Sequence, residues 1–303
     1  MNLIYPNRPR KRGDRYDAFR LKNVDPFYVV IPHIMTNRTG SMVFFEERIE
    51  IDKLEDFARQ IRKETGYDDI GLLQVVMAAV VRLFALHPGL NRFVAGRRLY
   101  ARNHIALSIA VKNTMSEAGA DTTVKTLFAP TDTLGDICKK LHDSFTAVKK
   151  SEENNSTYQM ASLLKYVPTC FLKFFVFLMR NFDQIGLMPK AIYSVSPFHT
   201  SVFIVDIGST GIDSIYHHLY DFGNCPVFIS IGRKENTLKM DKSGNVRSVK
   251  TINFRFVVDE RVCDGYYYAK AMRHLKRILA HPEILLKPLE YPVPDPLLVC
   301  KRK

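Results

Sequence analysis

The sequence predicts an α+β domain, a two-layer sandwich in which helices cover a large sheet. Three observations carry this expectation. β-Rich runs and helical stretches interleave to the end of the chain, residues 70–86 form a helix apolar nearly all round, and a long β-rich run at 251–258 closes on a short turn and a helix. With 303 residues and 46% hydrophobic content, the chain can bury a sizeable core.

The elements follow in order. Residues 1–25 are a basic, proline-containing arm, and Tyr28-Val29-Val30-Ile31-Pro32-His33-Ile34 reads as a short β-branched strand punctuated by proline. Residues 42–51 alternate partly as a strand. Leu54, Phe57, Ala58 and Ile61 recur at helical spacing, with Gly66 as the stop. The helix at 70–86 has no polar face and belongs inside the core, ending at His87-Pro88-Gly89. Strands are expected at 98–100, 105–112 and 124–128. A helix follows at 134–149, with Leu134, Ile137, Cys138, Leu141 and Phe145 inward, and then a polar break at 151–156. Strands resume at 201–207 and 226–232, a hairpin tip lies near 241–245, and a helix spans 266–279. The organisation is an arm (1–25), one domain (26–290) and a tail (291–303).

Composition restricts the function classes. With 44 Lys+Arg against 31 Asp+Glu, the formal net charge is +13, which favours anionic partners. No nucleic-acid motif accompanies the charge, so nucleic acid is not expected. Five cysteines without a C-x-x-C pair indicate neither a zinc site nor a disulfide framework, and no metal is expected. This usage suits a reducing cytoplasm, and the arm lacks the apolar stretch of a secretion signal. The Phe-rich run 167–179 is too short to span a bilayer, which takes about 20 apolar residues. It reads as a buried or half-buried helix, with a lid over an acyl pocket or peripheral membrane contact as alternatives.

Asp259-Glu260-Arg261-Val262-Cys263-Asp264-Gly265 is the most informative segment. It resembles the D-H-R-x-x-D-G signature of the catalytic domain of 2-oxoacid dehydrogenase acyltransferases, relatives of chloramphenicol acetyltransferase. Ile31-Pro32-His33, His87-Pro88-Gly89-Leu90-Asn91, the strand 105–111 and Ile204-Val205-Asp206-Ile207-Gly208 resemble other family motifs in the same order. The likeness covers most of residues 29–286. It implies a chloramphenicol acetyltransferase-like fold, a mostly antiparallel sheet flanked by helices. It also implies a free-standing catalytic domain, a homotrimer with active sites between subunits, and acyl-CoA and a small-molecule acceptor as partners. Coenzyme A would be a substrate, with no tightly bound cofactor.

Two positions depart from the family. Glu260 stands where the general-base histidine belongs, and Val205 replaces the serine that stabilises the oxyanion. Acyl transfer needs both functions. A carboxylate with a reference pKa near 4.3 is a weak base unless burial raises it. His217 and His218, in Tyr216-His217-His218-Leu219-Tyr220-Asp221, are candidate substitute bases that Asp221 could orient. If that stretch is a strand, only one of them faces the site. The resemblance makes Arg261 and Asp264 a pair that braces the turn, with Asp264 counted in the catalytic set. Gly265 is expected to relieve crowding, and Cys263 to pack inward. His33 is expected to be a structural hydrogen-bonder. Arg97, Arg98 and Asp206 are candidate cofactor contacts, the arginines otherwise being a solvated charge run. Three functions compete: a coenzyme-A-dependent acyltransferase with altered catalytic residues, a catalytically silent trimer that binds a ligand or scaffolds a partner, and a membrane-peripheral protein that uses the basic arm and the Phe-rich segment 167–179.

Overall fold

The computed structural model describes residues 4–67, 69–112, 121–153, 167–241 and 243–299. Its centre is a six-stranded sheet of order β2-β9-β8-β7-β5-β6. The strands are β2 (Met42–Glu50), β5 (Ile105–Lys112), β6 (Asp121–Phe128), β7 (Val202–Asp206), β8 (Val227–Met240) and β9 (Val246–Asp259). Pairing is antiparallel except for β5–β7 and β7–β8, so the mostly antiparallel expectation holds. A smaller sheet joins β1 (Ala18–Arg20), β4 (Arg98–Arg102) and β3 (Arg92–Ala95).

Strand alternation divides the sheet into two faces. Ile252, Phe254, Phe256 and Val258 of β9 point to the main core with Ile229 and Ile231 of β8. Helices α2 (Asp52–Thr65), α3 (Leu72–Leu86), α4 (Leu134–Glu153) and α7 (Gly265–Ala280) cover that face. As its composition requires, α3 is buried from Val75 to Ala85. α2 stops at Gly66, whose φ of +71° closes the helix through a bond to the Arg62 carbonyl. Val257, Phe228 and Phe203 occupy the opposite face, where Leu219 and Cys225 of an irregular strap (212–225) cover them. At the end of β7 the chain passes so close to β8 that a Cβ on Gly208 would lie 2.2 Å from the Gly232 carbonyl oxygen. Only glycine permits that approach.

Four local expectations change. Residues 28–34 are not a strand but part of α1 (Pro26–Ile34), because Asp25 caps its N-terminus by accepting from Phe27 N–H and Pro26 fits the first turn. The Phe-rich run is exposed rather than buried, with Phe171, Phe174 and Phe177 at 64%, 64% and 63% exposure. It starts α5 (Thr169–Ile185), of which only the C-terminal half reaches the body, through Met179 and Asp183. Gly265 faces open space, so crowding does not explain it. α4 runs through Glu153, past the start of the expected polar break, whose remainder lies outside the described residues. Two short helices, α6 (Lys190–Val195) and α8 (Pro296–Val299), complete the set described. No helix among the described residues is long and apolar enough to cross a membrane.

Candidate active site

The Asp259–Gly265 turn joins β9 to α7, and its backbone is tied on three sides. Asp259 N–H donates to the Pro226 carbonyl (2.9 Å), Glu260 N–H to Ser41 (2.9 Å) and Val262 N–H to Asp259 (3.2 Å). Tyr268 Oη donates back to the Asp259 carbonyl at 3.0 Å. These bonds place the Glu260 side chain outward, where it is exposed, and no described residue pairs with its carboxylate.

The expected Arg261–Asp264 brace is built differently. Arg261 grips Asp259, with Nε at 2.8 Å from Oδ1 and Nη2 at 2.7 Å from Oδ2. Its Nη1 also donates to the Met35 carbonyl at 3.1 Å. A residue two positions away presents the same planar fork to the carboxylate without crossing the turn. Asp264 instead caps α7, its Oδ1 accepting from Tyr267 N–H at 2.7 Å. Cys263 packs inward as expected, and burial pushes its thiol up to about 12. A second guanidinium, Arg38, reaches Asp259 at 3.5 Å. Burial, followed by the repulsion of Arg261, lowers the Arg38 pKa against the pull of Asp259.

The His217–His218 segment lies on the strap, not in a strand. Thr39 Oγ1 donates to the Leu219 carbonyl at 3.2 Å, so the strap and the turn both rest on residues 39–42. The His217 ring stacks on Phe228 (centroids 4.4 Å apart, planes at 5°), and its Nδ1 meets the His218 carbonyl at 2.8 Å. Burial lowers the His217 pKa, leaving a neutral imidazole near pH 7. Asp221 orients neither histidine. Its Oδ1 accepts from the N–H groups of Arg38 (2.8 Å) and Thr39 (3.1 Å). Those bonds outweigh burial and hold its carboxyl below the usual range.

The remaining candidates are scattered. Val205 packs against the apolar second face of the sheet and supplies no side-chain donor. Asp206 ends β7, and burial raises its carboxyl pKa against the N–H groups of Ser209 and Gly208. Arg97 and Arg98 part company: Arg97 lines a cavity, whereas Arg98 is an exposed residue at the start of β4 outside it. His33 is exposed and meets the Arg97 guanidinium at 3.3 Å. The described residues contain no group of side chains fit to hold a metal.

Sequence reasoning missed the cavity of about 440 Å³ beside the turn. Arg38, Arg97, Arg180 and Arg261 line it with Phe177 and Asp221, while Glu260 does not. Its arginines come from four distant parts of the chain. Only the Gly96-Arg97 turn carried a hint.

No family model matches the chain, and no curated protein matches it in sequence. Its three-dimensional structure nevertheless shows its fold, which is that of the 2-oxoacid dehydrogenase acyltransferase catalytic domains. One similar structure is the cubic core of the pyruvate dehydrogenase multienzyme complex, with a TM-score of 0.54 and 13% identity over 93% of this chain and 99% of that one. A probable dihydrolipoamide acetyltransferase from Listeria monocytogenes gives 0.53 and 12%, covering 86% of this chain and 94% of its own. A truncated catalytic core of the 2-oxoacid dehydrogenase complex from Thermoplasma acidophilum gives 0.52 and 13%, covering 86% and 98%.

Proposed function

We propose that this chain is an acyltransferase that moves an acyl group between coenzyme A and a small-molecule acceptor, with Glu260 as its base. The observation that supports this most is the frame around Glu260. A buried ion pair and three backbone bonds hold an exposed carboxylate that no side chain among the described residues neutralises. In the proposed step Glu260 takes the acceptor's proton while the acceptor's sulfur or oxygen attacks the thioester carbonyl. The carbon–sulfur bond then breaks, and the proton passes to the departing coenzyme A thiolate. Val205 contributes no oxyanion donor, so that charge falls to backbone N–H groups or to a partner subunit.

Acyl-CoA consumption, measured with thiol, amine and hydroxyl acceptors, tests the reading. Glu260→Gln is expected to lower kcat by about 10²–10⁴-fold with little change in KM. His217→Ala should have a smaller effect, since that ring is engaged in stacking. Absence of turnover with every acceptor would leave the silent ligand-binding trimer, which the apolar packing of Val205 favours.

The proposal includes a homotrimer in a reducing cytoplasm, where the buried thiols of Cys138, Cys225 and Cys263 remain free. Apolar side chains left open on α1 and α5, among them Phe27, Ile34, Phe171 and Phe174, suit contact between copies. Sedimentation at micromolar concentration should give a trimer. A monomer that pellets with anionic vesicles would replace it by peripheral membrane contact.

A further inference from the structure

We propose that the cavity between α1, the β3–β4 turn and α5 is a binding site for an organic phosphate monoester. Its wall carries four guanidinium groups, those of Arg38, Arg97, Arg180 and Arg261. Opposing them are the carboxylates of Asp221 on the wall and Asp259 behind it, which leaves an excess of two positive charges. Asp221 is already engaged by two backbone N–H groups, and Asp259 by Arg261 and Arg38. Arg97 and Arg180 have no carboxylate within ion-pair distance among the described residues.

Positioning supports a built site over a solvated charge run. Gly96 and Arg97 form the two-residue turn between β3 and β4 with φ of +53° and +60°. A two-residue hairpin turn calls for positive φ at both central positions, and Arg97 adopts it at a cost on the order of 1 kcal/mol. Gly96 N–H donates to Gln184 Oε1, and a Cβ on Gly96 would lie 2.6 Å from the Gln184 carbonyl oxygen. The turn is thus locked to the end of α5. Arg180, one helical turn before Gln184, therefore faces the same space as Arg97. The third observation is Arg38, whose side chain is only 4% exposed: its Nη1 donates to the Tyr220 carbonyl at 2.6 Å and its Nε faces Asp259 Oδ2 at 3.5 Å, so it brings a buried, already partnered guanidinium to the wall.

The charge excess and the two guanidiniums without a carboxylate partner among the described residues, Arg97 (which meets His33 Nδ1 at 3.3 Å) and Arg180, set the ligand's chemistry. A carboxylate offers one negative charge and satisfies one fork. A phosphate monoester offers close to two charges and three acceptor oxygens above its second pKa of about 6. Phe177 and Pro32 give the cavity an apolar side for the organic group, and its volume falls in the range of small-molecule sites. Glu260 lies outside the wall, so binding does not depend on acyl transfer.

Calorimetric titration of the whole chain with phenyl phosphate, inorganic phosphate and benzoate, at low salt and slightly basic pH, tests the assignment. Phenyl phosphate should bind at least ~10-fold more tightly than benzoate, with inorganic phosphate between them. Arg97→Gln and Arg180→Gln, both at exposed positions, should each weaken phenyl phosphate ~10-fold or more while leaving the melting temperature unchanged. Arg98→Gln, next in sequence but outside the cavity, should not. Undetectable phenyl phosphate binding, equal affinity for benzoate, or equal losses in all three variants would overturn the proposal.

Discussion

Asp259→Asn should destabilise the fold by about 3–5 kcal/mol, the cost typical of breaking a buried ion pair from one side. Asp259 is fully buried and is the counter-ion of two buried guanidiniums, Arg261 at 2.7 Å and Arg38 at 3.5 Å. Asparagine keeps the shape but removes the charge, leaving neither cation with a carboxylate within ion-pair distance among the described residues. The same change loosens the turn, because Arg261 N–H and Nε both donate to Asp259 Oδ1. Urea unfolding should show the loss as a lower midpoint at similar slope. Glu260→Gln, one residue away and exposed, should fall within about 0.5 kcal/mol of wild type. An Asp259→Asn midpoint equal to that of Glu260→Gln would show that the turn does not depend on its brace.

Lys125→Met should remove a rise in stability between neutral and basic pH. Lys125 Nζ lies 4.3 Å over the Tyr193 ring and donates to the carbonyls of Tyr193 (2.7 Å) and Ser196 (3.2 Å). Burial first, and then the charge of Arg102, lower its pKa from 10.5 to about 7, with Asp17 opposing. Between those values the unfolded chain holds a proton that the folded chain lacks, so stability increases with pH across the window. Below about 7 the cost of the buried ammonium is present in full. The wild type should therefore gain relative to the Met variant by at most about 1.4 kcal/mol per pH unit above neutrality. Orphaned carbonyls lower the variant at every pH by about 1–3 kcal/mol, without altering the slope. Parallel stability curves from pH 6.5 to 9 would mean that Lys125 keeps its ordinary pKa.

How much was legible follows from which interactions are local. α3 could be read because eleven consecutive residues, Val75 to Ala85, are buried, and that burial needs an apolar composition on every side. The β9–turn–α7 unit could be read because its parts are contiguous, a β-rich run, a turn and a helix, although Asp264 was expected to brace Arg261 and instead caps α7. α1 was misread because Val29, Val30 and Ile31 favour strands, whereas Asp25 and Pro26 begin a helix there. Val29 and Val30 are exposed, so no strand packing opposed the cap. The exposed face of α5 was misread for a related reason, since apolar composition records that a surface must be covered and not by what.

The sequence by itself determined the class of fold and the place of Glu260 in it, because periodicity and a contiguous turn act between residues close along the chain. The tertiary structure alone decided that Arg261 grips Asp259 rather than Asp264, that Asp221 serves the backbone of residues 38 and 39, and that four arginines share one cavity. Positions 38, 97, 180 and 261 have no common spacing. Their charges add up in one place only because the segment after α1, the β3–β4 turn, α5 and the turn after β9 meet there.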